Sequence, residues 1–160
     1  CKQKYHGVVL CALGWACWKT YLGRPETTSG RIGAMTELGN GLFEAEHYED
    51  ALSVQEAGLS MKRRNGASEE SMLAVKGNLA CTYHRLGRPE ASLSMRRDVY
   101  SGRLRLYGEE HATTLTAANN YASSLSMLRR FKEAKSLTRK TIPVARRVLG
   151  ENHERTLSLR

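Results

Sequence analysis

Cysteine and histidine are the residues of this chain best suited to chemistry, and their spacing argues against a reactive centre. Cys81 and His84 are three residues apart and would share one face of a helix, with His6, Cys11 and Cys17 as the conceivable further ligands of a metal site. A structural zinc site needs closely spaced Cys-x-x-Cys pairs on tight turns, and no such pair occurs. The two residues read instead as a small buried Cys81 and a polar His84. His111 and His153 each belong to a recurring loop, which favours a structural role over a histidine pair. Glu44, Glu46, Glu49 and Asp50 straddle a turn and read as solvated surface. Neither a Gly-rich phosphate loop nor a Gly-x-Ser-x-Gly elbow is found. The expectation is a chain with no catalytic residue, no metal ligand and no cofactor, and therefore not an enzyme.

The elements that position these residues repeat. Gly108-Glu109-Glu110-His111-Ala112-Thr113-Thr114-Leu115 returns 42 residues later as Gly150-Glu151-Asn152-His153-Glu154-Arg155-Thr156-Leu157. One period earlier, Gly66-Ala67-Ser68-Glu69-Glu70-Ser71-Met72-Leu73 keeps the Gly and the Leu. A fixed period of about 20–50 residues marks stacked units, none of which can bury its apolar face alone. This points to an extended binding surface and away from a single pocket.

Each period divides into a small, mixed helix and a longer, charged one. The first type is expected over Ile32 to Glu44, Leu73 to Leu86 and Leu115 to Leu128, the second over Tyr48 to Arg64, Glu90 to Tyr107 and Phe131 to Leu149. Leu115, Ala118, Ala122, Leu125 and Leu128 step by three or four, as do Ala134, Leu137, Thr141, Val144 and Val148, placing an apolar stripe on each helix. Gly108 and Gly150 end second helices, and Thr113 or Thr114 is the expected cap of the helix that follows. Pro143 removes a donor inside the last helix and should bend it. The expected core includes Leu79, Ala80, Tyr83, Ala91, Ala122, Leu125, Phe131 and Ala134.

Residues 1–30 fit the period poorly. A helix over 5–22 is expected, as an atypical N-terminal and capping element. Val8 to Trp18 is apolar for 11 residues only, against about 20 for a membrane span, so it reads as a buried helix. The chain begins with Cys and stops where the register opens another helix at 157, so it reads as a piece of a longer array. The four cysteines do not follow the repeat spacing, which suits a reducing, cytoplasmic compartment better than a disulfide framework. The formal net charge is +9, concentrated in residues 111–160, where ten Lys and Arg stand against three Asp and Glu.

These residues carry a resemblance. Asn120-Tyr121-Ala122, Leu125, Phe131-Lys132-Glu133-Ala134 and Val148-Leu149-Gly150-Glu151-Asn152-His153 resemble the 42-residue tetratricopeptide repeats of kinesin light chains. Asn78-Leu79-Ala80, Tyr83, Leu86-Gly87-Arg88 and Gly108-Glu109-Glu110-His111 agree in the middle unit, and Leu38, Tyr48-Glu49-Asp50-Ala51-Leu52 and Gly66 in the first. The loop Pro of the family is Ala112 or Glu154 here, and its helical Asn is replaced near Glu37. The resemblance covers residues 31–160, divided at about 31–72, 73–114 and 115–156.

The resemblance implies an all-α, right-handed superhelical solenoid of antiparallel helix pairs. Its first-type helices line a concave groove that holds a partner peptide, and the family Asn bonds the peptide backbone. Carried over, the peptide-binding residues are Asn78, Arg85, Asn119, Asn120, Ser123 and Met127, with Arg85 able to pair with an acidic side chain. The implied function is a protein–protein interaction scaffold with a protein or peptide ligand, acidic ligands included, and no membrane. The rival reading is a nucleic-acid-binding basic α-solenoid. It rests on Lys62-Arg63-Arg64, Arg96-Arg97, Arg129-Arg130, Arg139-Lys140 and Arg146-Arg147, and gains weight only if these cations align into one stripe.

Overall fold

The computed structural model describes residues 2–23, 25, 29–151, 153 and 156, and the side chains of these except 2–6 and 29. The described elements are all helices: α1 (Lys2–Tyr21), α2 (Ser29–Glu44), α3 (Tyr48–Arg64), α4 (Glu69–Arg85), α5 (Pro89–Tyr107), α6 (Ala112–Met127) and α7 (Phe131–Leu149). They group into two compact units, Cys1–Arg88 and Pro89–Arg160. The expected helix at Leu157 lies outside the described residues.

The helices follow the expected spans, but α1, α2, α4 and α6 each begin three or four residues early, in α4 and α6 because polar residues cap their starts. Ser68 caps α4, its hydroxyl accepting from the Ser71 N–H at 3.2 Å. His111 caps α6, its Nδ1 accepting from the Thr113 N–H at 3.2 Å. The cap expected at Thr113 or Thr114 therefore falls to the loop histidine, whose ring stacks on Tyr107 with centroids 4.7 Å apart. Each satisfies one of the free N–H groups that a helix start exposes. α7 continues through Pro143, which is exposed.

The repeat shows most clearly in what α3, α5 and α7 bury. Ala51, Ser92 and Ala134 are buried at matching places, then Gly58, Val99 and Thr141, then Met61, Gly102 and Val144. Small residues lead each helix because they let neighbouring helices approach. Ser92, 2 % exposed, takes the place expected for Ala91, which is half-buried. α5 starts at Pro89, so its fourth residue is Ser92, just as Ala134 is the fourth of α7. Phe131 was expected in the core and is 60 % exposed. It is the first residue of α7, one turn outside the buried row. Val148, at the other end of the expected stripe, is also exposed. In the second unit Leu93, Leu125 and Ala134 form one cluster and Leu115, Val144 and Ala145 another.

The turns after α2, α4 and α6 each place one residue in the left-handed region: Glu46 (φ 66°), Gly87 (φ 67°) and Arg129 (φ 57°). Only Gly87 is the residue type that enters it without steric cost.

α1 lies antiparallel on α2, at a closeness that only glycine permits. A Cβ on Gly14 would fall 2.6 Å from the Leu38 Cα, and one on Gly41 2.6 Å from the Leu10 carbonyl carbon. Gly7 meets the Glu44 carbonyl in the same way. The opposite side of α1 leaves Val8, Val9, Leu13 and Trp15 exposed.

Candidate functional site

The candidate residues fall on two helices, and each set is described within its own unit. On α4, Asn78 is half-buried, and its Nδ2 donates to Asn40 Oδ1 on α2 at 2.9 Å. The Asn78 carbonyl accepts from the Thr82 hydroxyl at 3.1 Å. That hydroxyl is wholly buried and also lies 2.7 Å from Oε1 of the buried Gln55 on α3. Seven residues beyond Asn78 on the same face, Arg85 is exposed with its guanidinium 6.0 Å from the centre of the Tyr48 ring. Cys81 and His84 are both exposed, which corrects the buried position expected for the thiol.

Next to this face Tyr83 donates from its hydroxyl to Glu56 Oε1 at 2.5 Å. A phenol that donates to a carboxylate resists losing its proton. This bond, helped by partial burial and the Glu56 charge and opposed by Arg88, pushes the Tyr83 pKa up to about 12.

On α6, Asn120, Ser123 and Met127 are exposed and step by three and four along one face. Asn119 stands about 100° around the helix at their edge, half-buried. Among the described residues the Asn120 side chain has no hydrogen-bond partner, but its carbonyl accepts from Arg96 Nη1 on α5 at 2.8 Å. Tyr121 turns partly inward and stacks on Tyr100, with centroids 6.0 Å apart. Burial and then the charge of Glu109 push the Tyr100 phenol up.

Structure thus joins Asn120, Ser123 and Met127 into one exposed polar strip, and leaves Asn78 tied to its own fold. Arg96 and Tyr100 are participants that periodicity missed. Neither lies on a first-type helix, and only the helix pairing brings them to α6. Chemically the α6 strip offers an amide donor and acceptor, a hydroxyl and a thioether, which suits hydrogen bonding to a backbone and not bond breaking. The second unit also has a cleft of about 200 Å³ lined by Tyr100, Leu104, Leu115, Lys140 and Val144 among others. Another, of about 210 Å³, is bordered by Glu90, Arg97, Tyr121 and Arg130. Among the described residues no group of three His, Cys, Asp or Glu side chains is placed to hold a metal, and no helix is long and apolar enough to cross a membrane.

A tetratricopeptide repeat family model matches residues 70–147. No curated protein sequence matches the chain. Among solved structures, the nearly identical TPR-like repeats of a kinesin light chain candidate from Podosopora anserina are similar, with a TM-score of 0.82 at 16% identity, covering 93% of this chain and 72% of that one. BtubC (BKLC) from P. vanneervenii is similar with a TM-score of 0.68 at 17% identity, covering 99% of this chain and 61% of its own. A Rap protein complexed with Competence and Sporulation Factor gives 0.70 at 13% identity, covering 98% of this chain and 46% of its own. The chain thus spans less than two thirds of the latter two proteins. At these identities the likeness is one of fold.

Proposed function

Because the chain is a tetratricopeptide-repeat protein with the fold of kinesin light chain-like repeats, we propose that it is a non-catalytic, cytoplasmic scaffold whose first-type helices bind a partner peptide. The repeats divide at about 31–72, 73–114 and 115–156. The exposed strip of α6 is the principal contact, with Asn120 bonding the peptide backbone and Ser123 and Met127 beside it. Asn119 borders the strip. Asn78 and Arg85 make the corresponding contacts on α4, where Arg85 receives an acidic ligand side chain.

One observation carries the reading. Among the described residues the exposed Asn120 amide has no partner, while the carbonyl of the same residue is held by Arg96. An amide with no internal partner breaks no bond within the fold when it binds, so it exchanges only water for a ligand's backbone. A peptide that binds along such a face is read by its backbone, which tolerates sequence variation at most positions.

The test starts from a peptide selected from a displayed random library on the intact chain. Asn120→Ala is expected to weaken that peptide by about 1 kcal/mol, roughly fivefold, with the melting temperature unchanged. A lowered melting temperature with unaltered affinity would overturn the assignment of Asn120.

A further inference from the structure

α7 separates its buried and exposed sides. Ala134, Thr141, Val144 and Ala145 are buried. Within an arc of about 140° on the other side, at 3.6 residues per turn, stand six exposed cations: Lys132, Lys135, Arg139, Lys140, Arg146 and Arg147. Only Ser136 and Pro143 lie between them. Arg146 is engaged by Glu151 at 3.3 Å and Arg147 by Glu110. The side chains of Lys132, Lys135, Arg139 and Lys140 have no acidic or hydrogen-bonding partner among the described residues. Glu133, the acid of α7, is outside the arc and held by Arg130 at 2.6 and 2.7 Å.

Folding does not account for this arrangement. Lys132 and Lys135 are three apart, Lys135 and Arg139 four, and like charges at these spacings repel along a helix. Cations on α5 are treated otherwise. Arg96 and Arg103 donate to the carbonyls of Asn120 and Thr113 at 2.8 and 3.1 Å. On α7 the repulsion is left uncompensated and directed to solvent, which is the electrostatic footprint of a polyanion partner.

We propose that the exposed face of α7 docks the phosphodiester backbone of a nucleic acid, without reading its bases. The row from Lys132 to Arg147 extends about 22 Å at 1.5 Å per residue. A duplex presents a charge about every 1.7 Å of its axis, so several phosphates fall within reach of the row. An amphipathic partner helix or a lipid surface needs apolar side chains to bury, and the arc supplies none beyond Pro143. Stacked bases need aromatic side chains, and none is present in the arc. This surface is on a different helix from the α6 strip, so it stands or falls independently of the peptide reading.

The experiment measures anisotropy of a fluorescent scrambled duplex DNA with the intact chain, from about 50 to about 200 mM salt. The logarithm of affinity should fall linearly with that of salt, with a slope of about −3 to −4, as expected for three or four phosphates. Lys132→Gln/Lys135→Gln/Arg139→Gln should weaken binding at least about tenfold at low salt and make the slope shallower by about 3. Its helical circular dichroism should be intact and its melting temperature equal or higher, because repulsion is removed. Lys62→Gln/Arg63→Gln/Arg64→Gln removes equal charge from α3 and should change affinity by less than about twofold. An equal loss in both triple variants overturns the proposal, since net charge would then explain the binding. So does failure to bind duplex, displacement of duplex by polyglutamate at equal charge, or binding to phosphatidylserine vesicles in its place.

Discussion

The α3–α4 and α5–α6 junctions occupy matching places in the repeat and solve the same problem with different chemistry. Each joins a second-type helix to the backbone of the first-type helix that follows. At the first junction Gln55 and Thr82 meet in the interior, and the Thr82 hydroxyl also reaches the Asn78 carbonyl. At the second, the residue matching Gln55 is Arg96, which reaches the Asn120 carbonyl directly from a half-exposed position. Ser124, matching Thr82, is buried as well. The neutral pair is hidden from water and the charged donor is not. A buried pair raises the cost of breaking the junction, whereas a half-exposed cation leaves water to replace it. The adjoining asparagines follow suit, with Asn78 tied to Asn40 and the Asn120 amide free. A shared register therefore conserves a junction's geometry but not its strength.

The largest effect should come from emptying the buried junction. Thr82→Val keeps the shape and strands the Gln55 oxygen, and should cost about 1–3 kcal/mol in urea unfolding. A loss no greater than that of Ser124→Ala would erase the contrast. Next, Asn78→Ala should lower stability by about 0.5–1.5 kcal/mol, while Asn120→Ala should leave unfolding unchanged. Equal melting temperatures in these two variants would show that the Asn78–Asn40 bond contributes nothing. Arg96→Met removes a half-exposed donor from a carbonyl that water can then solvate, so its cost should be about 0.5–1 kcal/mol and decrease with added salt.

Smaller effects sharpen the comparison at its edges. Arg129→Gly should stabilise the second unit by up to about 1 kcal/mol, since a side chain in the left-handed region is removed. Gly87→Ala should do the reverse in the first unit. The Tyr83–Glu56 bond belongs to the first junction alone, because Leu125 stands where Tyr83 does. The phenol pKa there is raised from the ordinary 10.0 to about 12, so the neutral form is the one the fold favours. This contribution is complete below pH 10 and disappears as pH rises through about 12. Spectrophotometric titration should find the Tyr83 phenol titrating late and moved back towards the ordinary value by Glu56→Gln, which leaves the raised Tyr100 phenol where it is.

Much of the fold was legible because its signals are local. Apolar steps of three and four, with Gly or polar residues at recurring positions, identify helices wherever they occur. The first-residue position of Phe131 and the buried place of Ser92 were misread for a related reason. The turns before α5 and α7 are each three residues long, so Ser92 and Ala134 are both the fourth residue of their helix, and matching by residue type instead set Ala91 against Ala134. His111 was recognised as structural, but its capping role depends on ring orientation, which no spacing encodes.

The candidate site was legible only in outline. Residues that share a helix face follow from 3.6 residues per turn, so Asn120, Ser123 and Met127 could be grouped from the sequence. Whether an amide is free depends on a partner far along the chain. Asn40 is 38 residues from Asn78, which is not a repeat distance, and the bond between them exists because α2 and α4 come together. The same holds for α1, where the need for Gly7 and Gly14 arises only from the backbone of α2 packed against them.

The sequence by itself determined which segments are helical, where they stop and which face of each is apolar, because backbone preference and burial period act over a few residues. Tertiary structure alone decided which polar groups are satisfied and which remain available. That choice depends on side chains that approach across helix junctions, and it separated the buried Gln55–Thr82 pair from Arg96, and the tethered Asn78 from the open Asn120. It also left Lys132, Lys135, Arg139 and Lys140 of α7 facing water without an acidic partner among the described residues.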